Sequence, residues 1–362
     1  MTAIKAFVKG HPVISYYALA FAISWGAILL AVGLGPGGFS ATPQQFQEDI
    51  PYGVPAMILG PALAGILLTA FLYGRSGLSE FRSRLLKWRV GARWYAVALL
   101  TAPLSMIAAL LVLSLSSPEF LPGILATGDK ATLLLMGVVP GLIVGIFEEF
   151  GWTGFAIPRM RLRYGVLATG LFVGVLWGAW HILANGLWAS DVTSGGLSLA
   201  MFVPVYLFTF LVGQLPAFRV LMVWVYDRTG SLLVAILMHA SVTASTFILQ
   251  PLAVSGVALL AVTLAYATAM WVVVAAVILA QGGRLSRQPL RKRVAQDRSS
   301  PYSLAARKHA KRDIAPSDGR TPIGTGPGYA NIGEHPFHAT RWMAKYVQSR
   351  SESRQDAKLV GS

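Results

Sequence analysis

Cysteine is absent from the 362 residues. Disulfides, thiolate metal sites and cysteine nucleophiles are therefore excluded. Charge is also scarce: Asp, Glu, Lys and Arg make up 12% of the chain, against roughly a quarter in soluble proteins. Acid is scarcer still, with 15 Asp+Glu against 30 Lys+Arg. What fills the chain is apolar, at 55% hydrophobic residues and a mean hydropathy of +0.59. This balance describes an all-α, polytopic membrane protein held in a lipid bilayer.

A helical span needs about 20 mostly apolar residues. Eight stretches qualify: 13–34, 54–73, 94–116, 131–157, 164–184, 198–217, 230–249 and 256–280. The first follows a basic start, "MTAIKAFVKGHPVISYYALAF", but runs on to Gly35 without a small-residue cleavage site, so it reads as a span and not a removed leader. The sixth is ambiguous, because "AFRVLMVWVY" extends it past Pro216 and Arg219 to Tyr226. Lys and Arg alternate by loop. Residues 74–93 hold Arg75, Arg82, Arg84, Lys87, Arg89 and Arg93, and Arg159, Arg161, Arg163 and Arg228 lie on the same side. The alternate loops hold only Lys130. The positive-inside rule then puts both termini in the cytoplasm of a plasma-membrane protein.

The net charge of +15 is concentrated at one end. Residues 281–362 carry 16 Lys+Arg and 6 Asp+Glu (16 − 6 = +10), which leaves +5 for residues 1–280. Two units follow: a transmembrane domain over 1–280 and a polar, basic tail over 281–362, expected to be disordered. "RLSRQPLRKR", directly after the last span, suits anionic lipid headgroups. With the basicity held in a tail, nucleic acid is not an expected partner.

The spans contain few ionisable groups. Glu148, Glu149, His181 and His239 lie in apolar interiors, and Arg219 lies at a depth the sequence does not fix. Each such residue costs about 3 kcal/mol at the bilayer centre on insertion scales, which makes it a functional candidate with the others as partners. Counting helical rise from the basic loops puts Glu148 about 22 Å deep, His181 about 27 Å and His239 about 16 Å. A helix break near Gly151–Gly154 could absorb the mismatch. One intramembrane cluster, reached from the cytoplasmic half, is the expectation. A carboxylate beside an imidazole can take a proton from water and return it to a leaving group. Glu148, His181 and His239 are also a His/His/Glu set that could hold one divalent metal such as zinc. A second imidazole could instead stabilise an oxyanion without metal. Spacing alone does not separate hydrolysis from ion transport.

Three short motifs give these residues a familiar order. "EEFGWTG" holds Glu148 and Glu149, "WGAWH" holds Trp177 and His181, and "HASVT" holds His239. Together they resemble the CPBP (CAAX-protease and bacteriocin-processing, or Abi) family of intramembrane proteases, related to CAAX prenyl protease 2. The resemblance covers residues 131–249. It implies a membrane endopeptidase, of the kind often labelled a metalloprotease, acting on a membrane-associated peptide or protein; the high Ala, Gly, Val and Arg content points to a bacterial source. By that resemblance Glu148 and His181 activate water, His239 supports the oxyanion and Glu149 plays an orienting part. A metal-free glutamate mechanism has also been proposed for the family.

The chain departs from the family pattern at two positions. Thr153 stands where the motif has arginine, one helical turn from Glu149, which removes an expected i,i+4 ion pair. Thr243 stands where the motif has Asn or Asp, so a hydroxyl replaces an amide or carboxylate. Trp177 in place of the commoner Phe reads as a mild change, and Asn185, one turn past His181, as a helix-end residue. The two threonines motivate a second reading, a catalytically weak member serving as a membrane scaffold. An ion-coupled transporter is the third, without the repeated broken helices that would support it.

Overall fold

The computed structural model describes residues 3–35, 38–39, 42–251, 254–283 and 285–286. The basic tail, with its expected disorder and lipid contact, lies almost wholly outside the described residues. Among the described residues every regular element is helical.

After a short helix, Ala3–Gly10, the long helices are α1 (Pro12–Gly33), α2 (Pro43–Leu85), α3 (Ala92–Ser114), α4 (Lys130–Met160), α5 (Val166–Trp180, continued by Ile182–Trp188), α6 (Leu199–Thr229), α7 (Leu232–Leu249) and α8 (Gly256–Ala280). Seven of them are long and apolar enough to cross a membrane, and α5 makes an eighth if its two halves, bent by 43° at His181, form one span. The ambiguous sixth stretch is one helix of 31 residues, so Arg219 lies inside it and not in a separate interfacial piece. The second starts earlier than its apolar run because Thr42 and Gln45 form a reciprocal cap that satisfies exposed N–H groups. It breaks at Gly74, whose φ of 58° suits a residue without Cβ.

Glycine sets the closest helix contacts. Gly137, Gly141 and Gly145 recur every four residues along α4 and face α7. A Cβ at Gly141 would stand 2.7 Å from the Ala240 carbonyl oxygen, and one at Gly145 would stand 2.8 Å from that of Ile236. Small residues let helix backbones approach where no hydrophobic force between helices exists in lipid. The next residue in this series is Glu149, so the same spacing that seats α4 on α7 carries a carboxylate into their interface. α5 docks on α6 in the same way: a Cβ at Gly174 would reach 2.4 Å from Pro216 Cα.

The end of the bundle carrying the basic loops is tied by hydrogen bonds. Arg161 and Asp227 form a buried ion pair at 2.6 Å. Arg84 donates to the Tyr226 hydroxyl and to the Gly154 carbonyl, each at 3.0 Å. Ser231 donates to the Lys87 carbonyl at 2.6 Å. Two of the loop cations that mark orientation thus also close this end of the fold.

Candidate active site

Local helix geometry changes at the site. The turn Trp152–Ala156, just after Glu148 and Glu149, is π-helical, as are Ile182–Trp188 after His181 and Phe208–Gln214 in α6. Widened turns of this kind leave carbonyls short of partners, and in lipid these must be satisfied from within the protein. Indole groups supply some of the donors: Trp25 donates to the Trp180 carbonyl at 3.0 Å and Trp271 to that of Gly213 at 2.9 Å. The expected break near Gly151–Gly154 is thus a π turn, and it lies between the two glutamates and the basic end.

The two glutamates face different neighbours. Glu148 lines a cavity of about 370 Å³ together with His181, His239, Trp177 and Thr243. Its Oε2 accepts from Trp177 Nε1 at 2.6 Å and from Trp152 Nε1 at 3.1 Å. Trp177 is therefore no mild exchange for Phe, since phenylalanine has no N–H to give. The indole also meets both imidazoles edge-on, with ring centroids 5.7 Å from His181 and 5.1 Å from His239.

Glu149 is fully buried and does not line the cavity. Its Oε1 accepts from Arg219 Nη1 at 2.7 Å and from His239 Nδ1 at 2.7 Å. Its Oε2 accepts from Arg219 Nη1 at 3.0 Å and from the Thr153 hydroxyl. The expectation that Thr153 leaves Glu149 without a charge partner is corrected: the cation comes from α6, 70 residues away in sequence. Thr153 keeps the i,i+4 contact as a hydrogen bond. The Arg219 guanidinium also lies over the Trp177 ring, 4.1 Å from its centroid, a cation–π arrangement strengthened by desolvation.

These bonds fix ring protons. His181 Nδ1 lies 2.8 Å from the Trp177 carbonyl, which can only accept, so Nδ1 carries the hydrogen and Nε2 of the neutral ring keeps its lone pair. His239 Nδ1 donates to Glu149 in the same manner, leaving Nε2 3.9 Å from Glu148 Oε2. A carboxylate holding the far nitrogen of a histidine orients the ring.

Asn185 lines the same cavity, one turn past His181. Thr243 stands one turn beyond His239. Among the described residues no three His, Asp or Glu side chains are gathered as a metal-binding group. Glu148 Oε2 and both Nδ1 atoms are engaged by protein partners, which leaves Glu148 Oε1 and the two Nε2 atoms as the unengaged donors of the set named for zinc.

The lining of the cavity runs from the site away from the basic loops. Arg219 and the donor role of Trp177 are the elements that sequence reasoning missed. Arg219 carried a signal, as the remaining ionisable residue within an apolar stretch.

Residues 130–245 match the family model described as Type II CAAX prenyl endopeptidase Rce1-like. The chain is also similar to CAAX prenyl protease 2 of Methanococcus maripaludis, at 25% identity over 140 residues, covering 36% of this chain and 50% of that protein. It thus spans about half the length of this curated relative. All the candidate site residues fall inside the matched segment.

Proposed function

We propose that this chain, a member of the CPBP family of CAAX-protease-like membrane proteins through its residues 130–245, is an intramembrane endopeptidase working through Glu148 and His181. The observation that carries this reading is the convergence of Glu148, His181 and His239 on one cavity, with the other atoms of each group already engaged. Two indole donors occupy Glu148 Oε2, which leaves Oε1 for a water molecule. That water loses a proton to Glu148, or to the Nε2 lone pair of His181, as its oxygen adds to the peptide carbonyl carbon. The carbonyl oxygen becomes an oxyanion facing the Nε2–H of protonated His239, and Thr243 can add a hydroxyl. Collapse breaks the C–N bond, and the stored proton passes to the departing amine.

Glu149 takes no proton in this scheme. Held by Arg219 and Thr153, it keeps the His239 ring oriented. The test is cleavage of membrane-peptide substrates by the purified, reconstituted chain. Activity in the wild type and none in Glu148→Gln supports the proposal, and equal activity in both rejects it.

A further inference from the structure

We infer that Tyr16 and Tyr17 of α1 are positioning residues for Glu148, acting through Trp152. The inference rests on the peptidase reading for the reaction they serve, and on ring geometry alone for what they hold. Both tyrosines lie outside residues 130–245, the segment matched to the family. Trp152 follows Glu148 by one turn and donates its indole N–H to Oε2 at 3.1 Å. The same residue opens the π turn Trp152–Ala156, and the rings packed on its indole come from other helices.

Tyr16 meets the Trp152 indole edge-on, with ring centroids 5.6 Å apart and planes at 87°. Tyr17 meets it at 5.6 Å and 30°. From α5, Trp180 meets it edge-on at 5.8 Å. All four rings are buried. In a close-packed interior an indole set against three buried rings cannot turn its N–H away from Glu148 without displacing one of them. α1 is itself fixed in place. A Cβ at Gly151 would collide with the Tyr16 hydroxyl and with the Pro61 carbonyl oxygen, so α1, α2 and α4 meet at this glycine. Ser24 donates to the Met57 carbonyl at 2.6 Å, and the Trp25 bond to the Trp180 carbonyl ties α1 to α5 beside His181. Neither tyrosine hydroxyl has a hydrogen-bond partner among the described residues, so the hold on Trp152 is exerted by the rings. Aromatic pairs of this kind contribute beyond the area they bury.

The test uses the full chain reconstituted in vesicles. Tyr17→Leu and Tyr16→Leu each remove one ring, and Tyr17→Met, which fills the space with a flexible chain, is the second variant where leucine disturbs folding. Each should lower kcat for membrane-peptide cleavage by about 2- to 10-fold, the worth of one aromatic pair, with KM unchanged. Tyr16→Phe and Tyr17→Phe keep the rings and should stay within about twofold of wild type. In a Trp152→Phe background, which lacks the indole donor, the Leu changes should cost nothing further. Losses that multiply in that background overturn the inference, as does a loss in the Phe variants as large as in the Leu variants. A readout independent of cleavage is modification of Glu148 by dicyclohexylcarbodiimide, followed by tandem mass spectrometry with Glu148→Gln as the blank. Tyr17→Leu should change the labelling rate in the same direction as Trp152→Phe, and the double variant should match Trp152→Phe alone. A wild-type labelling rate in Tyr17→Leu or in Trp152→Phe rejects the inference. The expected labelling pattern in a chain that cuts no peptide leaves the positioning standing and removes the peptidase reading.

Discussion

The indole N–H of Trp177 donates to Glu148 Oε2 at 2.6 Å, and the face of the same ring carries the Arg219 guanidinium at 4.1 Å. One side chain therefore joins the candidate base to the buried ion pair behind it. Trp177→Phe keeps an aromatic ring and removes the donor. A hydrogen bond to a charged group contributes about 1.5–3 kcal/mol, so kcat/KM for peptide cleavage should fall about tenfold or more if that energy goes into orienting Glu148. Full activity in Trp177→Phe would mean that the bond has no part in orienting Glu148.

Glu148→Gln and His181→Ala remove the groups proposed to handle the proton. Each should lower the cleavage rate by about 10²–10⁴-fold, the usual contribution of general acid–base catalysis. The measurement is single-turnover cleavage in reconstituted vesicles. Near-native turnover in either variant would take that residue out of the proton path.

Arg219→Ala leaves Glu149 buried opposite His239 with its main cation gone. Breaking a buried pair on one side costs about 3–5 kcal/mol, so thermal unfolding in detergent should shift well downward. Adding Thr153→Arg to that background returns a cation one turn from Glu149. Recovery of stability in the double variant would show that one site on the carboxylate can be served from either helix. If the second change brings no recovery, the two positions are not equivalent.

The proposed water activation routes no step through a metal, and so predicts that cleavage survives chelation. Dialysis against EDTA and then 1,10-phenanthroline should leave the rate within about twofold, well inside the loss expected when a catalytic group is removed. Loss of activity restored by added zinc would replace the metal-free proposal with a coordinated one.

The helical architecture was legible because each span is a long apolar run, and the expected depths of Glu148, His181 and His239 do meet. The bend at His181 and the π turns were not legible, because they arise where side chains and neighbouring helices compete for backbone groups. Arg219 was visible as a residue but not as a partner. The search for a cation near Glu149 stopped at one helical turn, while the contact crosses from α4 to α6. Counting residues gives depth along each helix and says nothing about which end of the bundle is packed shut. The four-residue glycine spacing in α4 was readable and points at the interface that holds Glu149 and His239.

That spacing also works as a ruler. Gly137, Gly141, Gly145 and Glu149 lie on one face of α4 because each step of four residues is close to a full turn. One added or lost residue between Gly137 and Glu149 would swing the carboxylate about 100° around the helix, away from Arg219 and His239, while pushing a larger side chain against α7. Helix assembly and site geometry would fail together. This segment should therefore tolerate changes of residue far better than any change of length.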